Sequence, residues 1–220
     1  MSKLYLLGGE NVYKRSAKQV NLEAFEGAAQ PLNVLVLPWA SASFDNRFQK
    51  RKTLTDYFRS LGASSVNYAE YGRLEAVAEQ MATAGLIYLT GGQPSILIER
   101  LKIMGVNQLL AGYNGVMVGR SAGALALCKK CVTTCRSNSK ARIVNGLGLV
   151  NITLKVHYTP QKDETLKKLS LNEEIFAVPE GSALVYENGT LYVMGNAYLF
   201  SNGRRQPFTK LEYENIWDKT

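Results

Sequence analysis

The sequence predicts an α/β protein: a doubly wound, mostly parallel sheet with helices on both faces, extended at its C-terminal end by a small antiparallel piece. Three observations point there. Strand-like and helix-like segments alternate over the first two thirds of the 220 residues. The strand-like runs are short, continuous and apolar, as parallel strands covered on both faces must be. In the last third, short strands follow one another directly, and Glu187-Asn188-Gly189 forms a hairpin turn between two of them.

Each element has its own signal. Lys3–Leu7 is a short apolar run closed by Gly8-Gly9, and Asn33–Pro38 has the length and β-branching of a buried strand. From Phe44 to Leu61, the residues Phe44, Phe48, Leu54, Tyr57, Phe58 and Leu61 recur at helical spacing, with Gly62 as the stop. Ser65–Ala69 is a weaker strand, and Leu74–Ala84 a helix followed by Gly85. Leu86–Leu89 is a strand running into Thr90-Gly91-Gly92, and Pro94 opens a helix over Ser95–Met104. A short helix over Asn107–Ala111 leads to a strand at Gly115–Val118, and Ala124–Cys131 continues as a helix. Beyond it, Thr153–Tyr158 reads as a strand and Lys162–Leu169 as a turn or two of helix. Ile175–Val178, Ala183–Tyr186, Leu191–Met194 and Tyr198–Phe200 read as strands. With no repeat and no linker, one domain is expected over residues 1–220, its core at about 1–205 and a tail at 206–220.

Composition narrows the function classes. Hydrophobic residues at 46% and charged residues at 20% exclude a wholly disordered chain. No apolar run approaches the roughly 18–20 residues of a membrane span, and Met1–Leu7 has no leader-like core. The expectation is a cytoplasmic protein without a membrane partner. The net charge of +8 comes from dispersed basic residues, densest at Arg47/Lys50/Arg51/Lys52 on a helix face, so no nucleic-acid partner is expected. A sharper skew lies between Ala122 and Val156. That segment has no acid but holds Lys129, Lys130, Arg136, Lys140, Arg142 and Lys155. Cys128, Cys131 and Cys135 are too few and too close for a disulfide framework, and they read as small buried thiols on one face of a helix. No cofactor and no metal are expected.

The chemistry concentrates in Gly119-Arg120-Ser121-Ala122-Gly123, a G-x-S-x-G pattern between an apolar strand and a helix-forming run. Such an elbow holds its serine in a strained conformation at the apex of a sharp turn. The flanking positions crowd each other and must be glycine, and the next backbone N–H is free for an oxyanion. A serine needs a base, and the chain holds one histidine, His157, at a strand end. The base needs an orienting acid. None lies between Ser121 and His157, so it must follow the histidine or precede the serine. Glu180, in Val178-Pro179-Glu180-Gly181 at the mouth of an apolar strand, is placed like a site residue. Gly92 after the Leu86–Leu89 strand, together with Ala122, is the expected source of oxyanion-binding N–H groups.

These motifs, in this order, resemble the serine peptidases typified by dipeptidase E, to which cyanophycinase is related. The matching stretches are Thr90-Gly91-Gly92-Gln93, Gly119–Gly123, His157-Tyr158 and Pro179-Glu180-Gly181, and the resemblance spans roughly Leu32 to Phe200. It implies a doubly wound sheet like that of class I glutamine amidotransferase domains (a flavodoxin-like architecture). It also implies a Ser121–His157–Glu180 triad and hydrolysis of short peptides, with release of an N-terminal aspartate in the best-known members. Arg120, Gln93 and Tyr158 are the expected substrate-binding residues, a small peptide is the expected partner, and a homodimer is the family's habit. The chain departs from the pattern at Asp163-Glu164-Thr165-Leu166, where leucine stands in place of the arginine that grips the substrate carboxylate in aspartate-specific members. Arg120, Arg136, Arg142 or Lys155 would then supply the positive charge. The competing expectations are a cyanophycinase-like hydrolase and a ligand-binding member of the fold without activity.

Overall fold

The computed structural model describes residues 2–41, 48–134 and 141–212. Five strands form a parallel block: β1 (Lys3–Leu7), β2 (Asn33–Leu37), β3 (Ser65–Tyr68), β4 (Leu86–Leu89) and β5 (Val116–Arg120), in the order β3-β2-β4-β5-β1. Between them run α1 (Lys18–Glu26), α2 (Phe48–Ser60), α3 (Leu74–Thr83), α4 (Pro94–Ile103) and α5 (Val106–Gly112). Alternate residues of each strand serve opposite faces. Leu4, Leu6, Leu35, Leu37, Ile87, Leu89 and Met117 pack toward α3, α4 and α5. Tyr5, Leu7, Val34, Val36, Tyr88 and Val118 pack toward α1 and α2. Both faces are apolar because both are covered, and this is why the strands read as unbroken apolar runs.

The rest of the chain continues the same sheet. After β5 come α6 (Ala122–Leu127), β6 (Cys128–Thr134), β7 (Ala141–Asn145) and β8 (Val150–Lys155). A short 3₁₀ turn (Pro160–Lys162), α7 (Asp163–Leu169), β9 (Ile175–Ala177), β10 (Ala183–Glu187), β11 (Thr190–Ser201) and β12 (Arg204–Glu212) complete it. Beyond β1 the order is β10-β11-β9-β8-β6-β7, with β12 on β11. β10 runs antiparallel to β1, whereas β9, β8 and β6 are parallel to one another. The long β11 pairs with β10 through Thr190–Met194 and with β9 through Tyr198–Phe200. Where a small antiparallel extension was expected, the chain builds a mixed second half of the sheet, with β6, β8 and β9 parallel and β7, β10, β11 and β12 joined by antiparallel pairing. A third apolar cluster, built on Val132, Tyr158, Leu166, Ile175, Ala177 and Phe200, sits under α7.

Three sequence expectations are corrected, and one helix went unexpected. The helix expected over Ala124–Cys131 stops at Leu127, and Cys128 and Cys131 lie on β6. Both thiols are nevertheless buried in the same cluster, because a register irregularity between Cys128 and Lys130 turns the strand between them. Cys135 lies outside the described residues. Helix α1 was not expected, since buried Asn21 interrupts its apolar stripe of Val20, Ala24 and Phe25. The two strands expected at Leu191–Met194 and Tyr198–Phe200 are one strand, β11. The expected tail begins inside a strand: β12 runs over Arg204–Glu212, with Phe208 buried against Phe176. The helix expected from Phe44 begins at Phe48 among the described residues, and Phe44 lies outside them. No helix among the described residues is long and apolar enough to cross a membrane.

Candidate active site

Ser121 stands where β5 turns into α6, with φ 52° and ψ −104°. For a residue with a β-carbon this is costly, of order 1–3 kcal/mol, and it persists only where the surroundings enforce it. Here they do. The Ser121 N–H donates to Leu7 O at 3.0 Å, and Ser121 O accepts from Leu125 N–H at 3.0 Å. A β-carbon on Gly119 would lie 2.6 Å from Ala124 N, and one on Gly123 would strike Leu89 of the neighbouring strand. The two glycines thus let strand and helix meet closely enough to hold the serine at the apex.

His157 and Glu180 reach the serine from the other half of the sheet. Ser121 Oγ is 2.7 Å from His157 Nε2, and His157 Nδ1 is 2.8 Å from Glu180 Oε1. His157 follows β8 with φ 50°, and its N–H donates to Gly8 O at 2.8 Å. Glu180 follows β9, and the next residue ties back through Gly181 N–H to Gly9 O at 2.9 Å. The His157 and Glu180 side chains are 48% and 58% exposed, so solvent screens their attraction. What the contact supplies is orientation: a carboxylate on Nδ1 leaves Nε2 free to accept the serine proton.

The loop after β1 is a part of the site that sequence reading passed over. A β-carbon on Gly9 would lie 2.5 Å from His157 Cε1, 2.6 Å from Nδ1 and 3.0 Å from Glu180 Cγ, and Gly9 has φ +148°. Only glycine lets the backbone pass beneath the imidazole. The signal was present, since Gly8-Gly9 closes a strand as Gly91-Gly92 does. Its meaning depended on β1 lying beside β5, where Leu7 pairs with Arg120.

Beside the serine opens a cleft of about 790 Å³. Glu10, Arg120, Gly91, Gly92, Gln93 and Glu180 are among its walls. A β-carbon on Gly91 would be 3.4 Å from Ser121 Cβ, so Gly91 is the member of the pair that borders the serine, while Gly92 packs on Ala40. No backbone hydrogen bond between described residues engages the N–H groups of Gly91 or Gly92. Ala122 occupies the first turn of α6, where N–H groups have no partner within the helix.

A profile of peptidase family S51 matches residues 4–194. The chain belongs to that family. It is a serine peptidase of the peptidase E type. Two solved structures are similar to this S51 chain. One is a peptidase from an acI-B1 actinobacterium, with 18% identity, 97% of each chain covered and a TM-score of 0.72. The other is a candidate peptidase E protein from Listeria monocytogenes EGD-e, with 21% identity, 88% of this chain and 98% of that one covered, and a TM-score of 0.68. At those identities the likeness is one of fold. No curated protein matches the chain.

Of the residues expected to bind substrate in this S51 peptidase, Arg120 and Gln93 line the cleft and Tyr158 does not. Tyr158 is buried under α7 against Tyr198 and Phe200. Its hydroxyl donates to Asp163 Oδ1 at 2.6 Å and accepts from Arg205 Nη1 at 3.1 Å. The positive φ of His157 reverses the chain there, so adjacent side chains part to opposite sides. Leu166, in the place of the family arginine, is buried in the same cluster. Arg142 is exposed on edge strand β7, Lys155 is buried on β8, and Arg136 is outside the described residues. Among the described members of the four cations considered, Arg120 is the one that lines the cleft.

Proposed function

We propose that the protein is an exopeptidase acting on di- and tripeptides through Ser121, His157 and Glu180. The observation that carries this reading is the continuous path from Ser121 Oγ through both imidazole nitrogens to Glu180 Oε1, in steps of 2.7 and 2.8 Å. Ser121 attacks the scissile carbonyl as His157 Nε2 takes its proton. Glu180 holds the imidazole with Nε2 turned to the serine. The oxyanion is met by the Ala122 N–H and by the Gly91-Gly92 loop, where one donor is worth on the order of 10²–10³ in rate. His157 then protonates the leaving amine, and water, activated by the same nitrogen, releases the acyl group. The cleft volume suits a small ligand.

The test is hydrolysis of Xaa-Leu dipeptides with Asp, Glu, Asn, Arg, Ala or Leu at Xaa, using Ser121→Ala as the blank. The reading expects at least one dipeptide to be cleaved, with kcat/KM falling by about 10⁴-fold or more in the variant. Equal cleavage by Ser121→Ala would rule out the mechanism. Failure to cleave any dipeptide would rule out the exopeptidase reading. The identity of the cleaved member sets the P1 preference, which the loss of the family arginine at Leu166 leaves to residues of the cleft.

A further inference from the structure

Glu10 has no part in the chain of hydrogen bonds at Ser121, yet it lies in the cleft beside it. We propose that Glu10 is a specificity-determining residue that binds the free α-ammonium group of the substrate, so that the peptidase requires an unblocked N-terminus. The inference rests on the peptidase reading above and adds a recognition element to it.

Position comes first. Glu10 follows Gly9, whose α-carbon faces the His157 ring, and consecutive α-carbons are about 3.8 Å apart. The α-ammonium of an N-terminal residue is two bonds from the carbonyl that Ser121 attacks. Its partner must therefore stand in the cleft beside the serine, and Glu10 lines that cleft together with Arg120, which precedes Ser121, and Glu180.

The state of the carboxylate comes second. Glu10 Oε1 accepts from Tyr57 OH at 2.9 Å and Asn21 Nδ2 at 3.1 Å, and Oε2 lies 3.5 Å from Tyr88 OH. All three donors are neutral. Burial pushes the Tyr57 and Tyr88 hydroxyls well above the ordinary tyrosine range and the nearby Glu10 charge adds to that, while Arg120 beside Tyr88, and the Asn21 hydrogen bond and Arg15 charge at Tyr57, pull the other way. The donors fix the carboxylate in place without cancelling its charge. Among the described residues no cation lies within ion-pair distance of it. A fixed carboxylate with no ion-paired cation among the described residues, in a peptide-sized cleft, calls for a cationic group on the ligand.

The choice of cation comes third. A lysine or arginine side chain on the substrate would carry its charge several bonds away from the scissile carbonyl, in a cleft that Lys50 also lines. The compact α-ammonium stays close to the backbone and beside Gly9. A hydrogen-bonded charge pair of this kind is worth about 10–100-fold in binding.

The experiment measures calorimetric binding to full-length Ser121→Ala, which cannot turn the ligand over. The ligands are Ala-Leu, Asp-Leu and Arg-Leu, each beside its des-amino analogue: propionyl-Leu, succinyl-Leu and 5-guanidinopentanoyl-Leu. The expected result is that each dipeptide bound is held at least about tenfold more tightly than its analogue. With Glu10→Gln added, which keeps an oxygen acceptor for Tyr57 and Asn21, the two members of a pair bind alike. A preference that survives Glu10→Gln overturns the assignment, as does equal binding within every pair or no binding of any dipeptide. If 5-guanidinopentanoyl-Leu binds as well as Arg-Leu and only these weaken in Glu10→Gln, Glu10 reads a basic side chain and the assignment also fails. Fluorophosphonate labelling of the wild-type protein separates the two levels. An unreactive Ser121 counts against the peptidase mechanism, while the binding comparison still decides Glu10.

Discussion

The parallel block β3-β2-β4-β5-β1 meets the candidate site mainly with backbone, whereas the loops after β8 and β9 meet it with side chains. From the first half come the Gly8-Gly9 loop after β1, the Gly91-Gly92 loop after β4 and the elbow after β5, all at the carboxyl ends of parallel strands. From the second come His157 and Glu180, both exposed on short loops. Beside the site the halves are tied through the loop after β1: His157 N–H and Gly181 N–H both donate to the Gly8-Gly9 backbone, and Gly8 N–H donates to Ser182 O. The lesson concerns tolerance. In the backbone half a substitution must fit through space that is already filled. In the side-chain half a residue can be replaced with little effect on the fold.

Three substitutions sharpen or break this comparison. Glu180→Gln should leave the thermal midpoint nearly unchanged, because the carboxylate is exposed, while kcat/KM for a cleaved dipeptide falls by about 10²–10⁴-fold. Full activity in Glu180→Gln would show that the second half supplies only the histidine. Gly9→Ala should cost both activity and stability. Its β-carbon collides with the imidazole, so kcat/KM should fall by about 10²-fold, with roughly 1–3 kcal/mol lost in urea unfolding. A fully active, fully stable Gly9→Ala would end the distinction between the two halves.

The third is a pure stability effect. Lys155, buried on β8 two residues before His157, is lowered from its ordinary 10.5 to about 8, first by burial and then by the Lys162 charge. Below about pH 8 the lysine is charged in both folded and unfolded chains, and the folded state bears the full penalty. Between about pH 8 and 10.5 the unfolded chain binds more protons, so stability rises with pH. Lys155→Met should therefore be more stable by about 2 kcal/mol at pH 7 and should lose the rise between pH 8 and 10, read by urea unfolding at each pH. An unchanged pH dependence in Lys155→Met would mean that the buried charge is relieved in another way.

The same division governs what the sequence discloses. Strands β1, β2, β4 and β5 are legible because both of their faces are covered, and each is therefore an unbroken apolar run. Ser121, His157 and Glu180 are legible because an elbow, a lone histidine and a strand-end acid each carry a local signal. The second half is less so. β6 resembles a helix because Cys128 and Cys131 are three residues apart, and the bulge that places both thiols in one cluster depends on its pairing with β8. Strand β12 takes its identity from β11, with which it pairs. Gly9 carries a local mark, a glycine pair closing a strand, but its meaning, like the place of Glu10, follows from β1 lying against β5. Tyr158 failed for the opposite reason: it neighbours His157 in sequence, and the backbone turn at His157 sends it to another face.

The central claim is that Ser121 is activated across the join between the two halves, by a histidine that Glu180 orients. Fluorophosphonate labelling with peptide mapping by mass spectrometry tests it most directly. The account predicts one phosphonyl group per chain, located on Ser121 in the wild-type protein and slowed by about 10²-fold or more in His157→Ala. Label on another residue, or labelling of Ser121 at the same rate without His157, would contradict it.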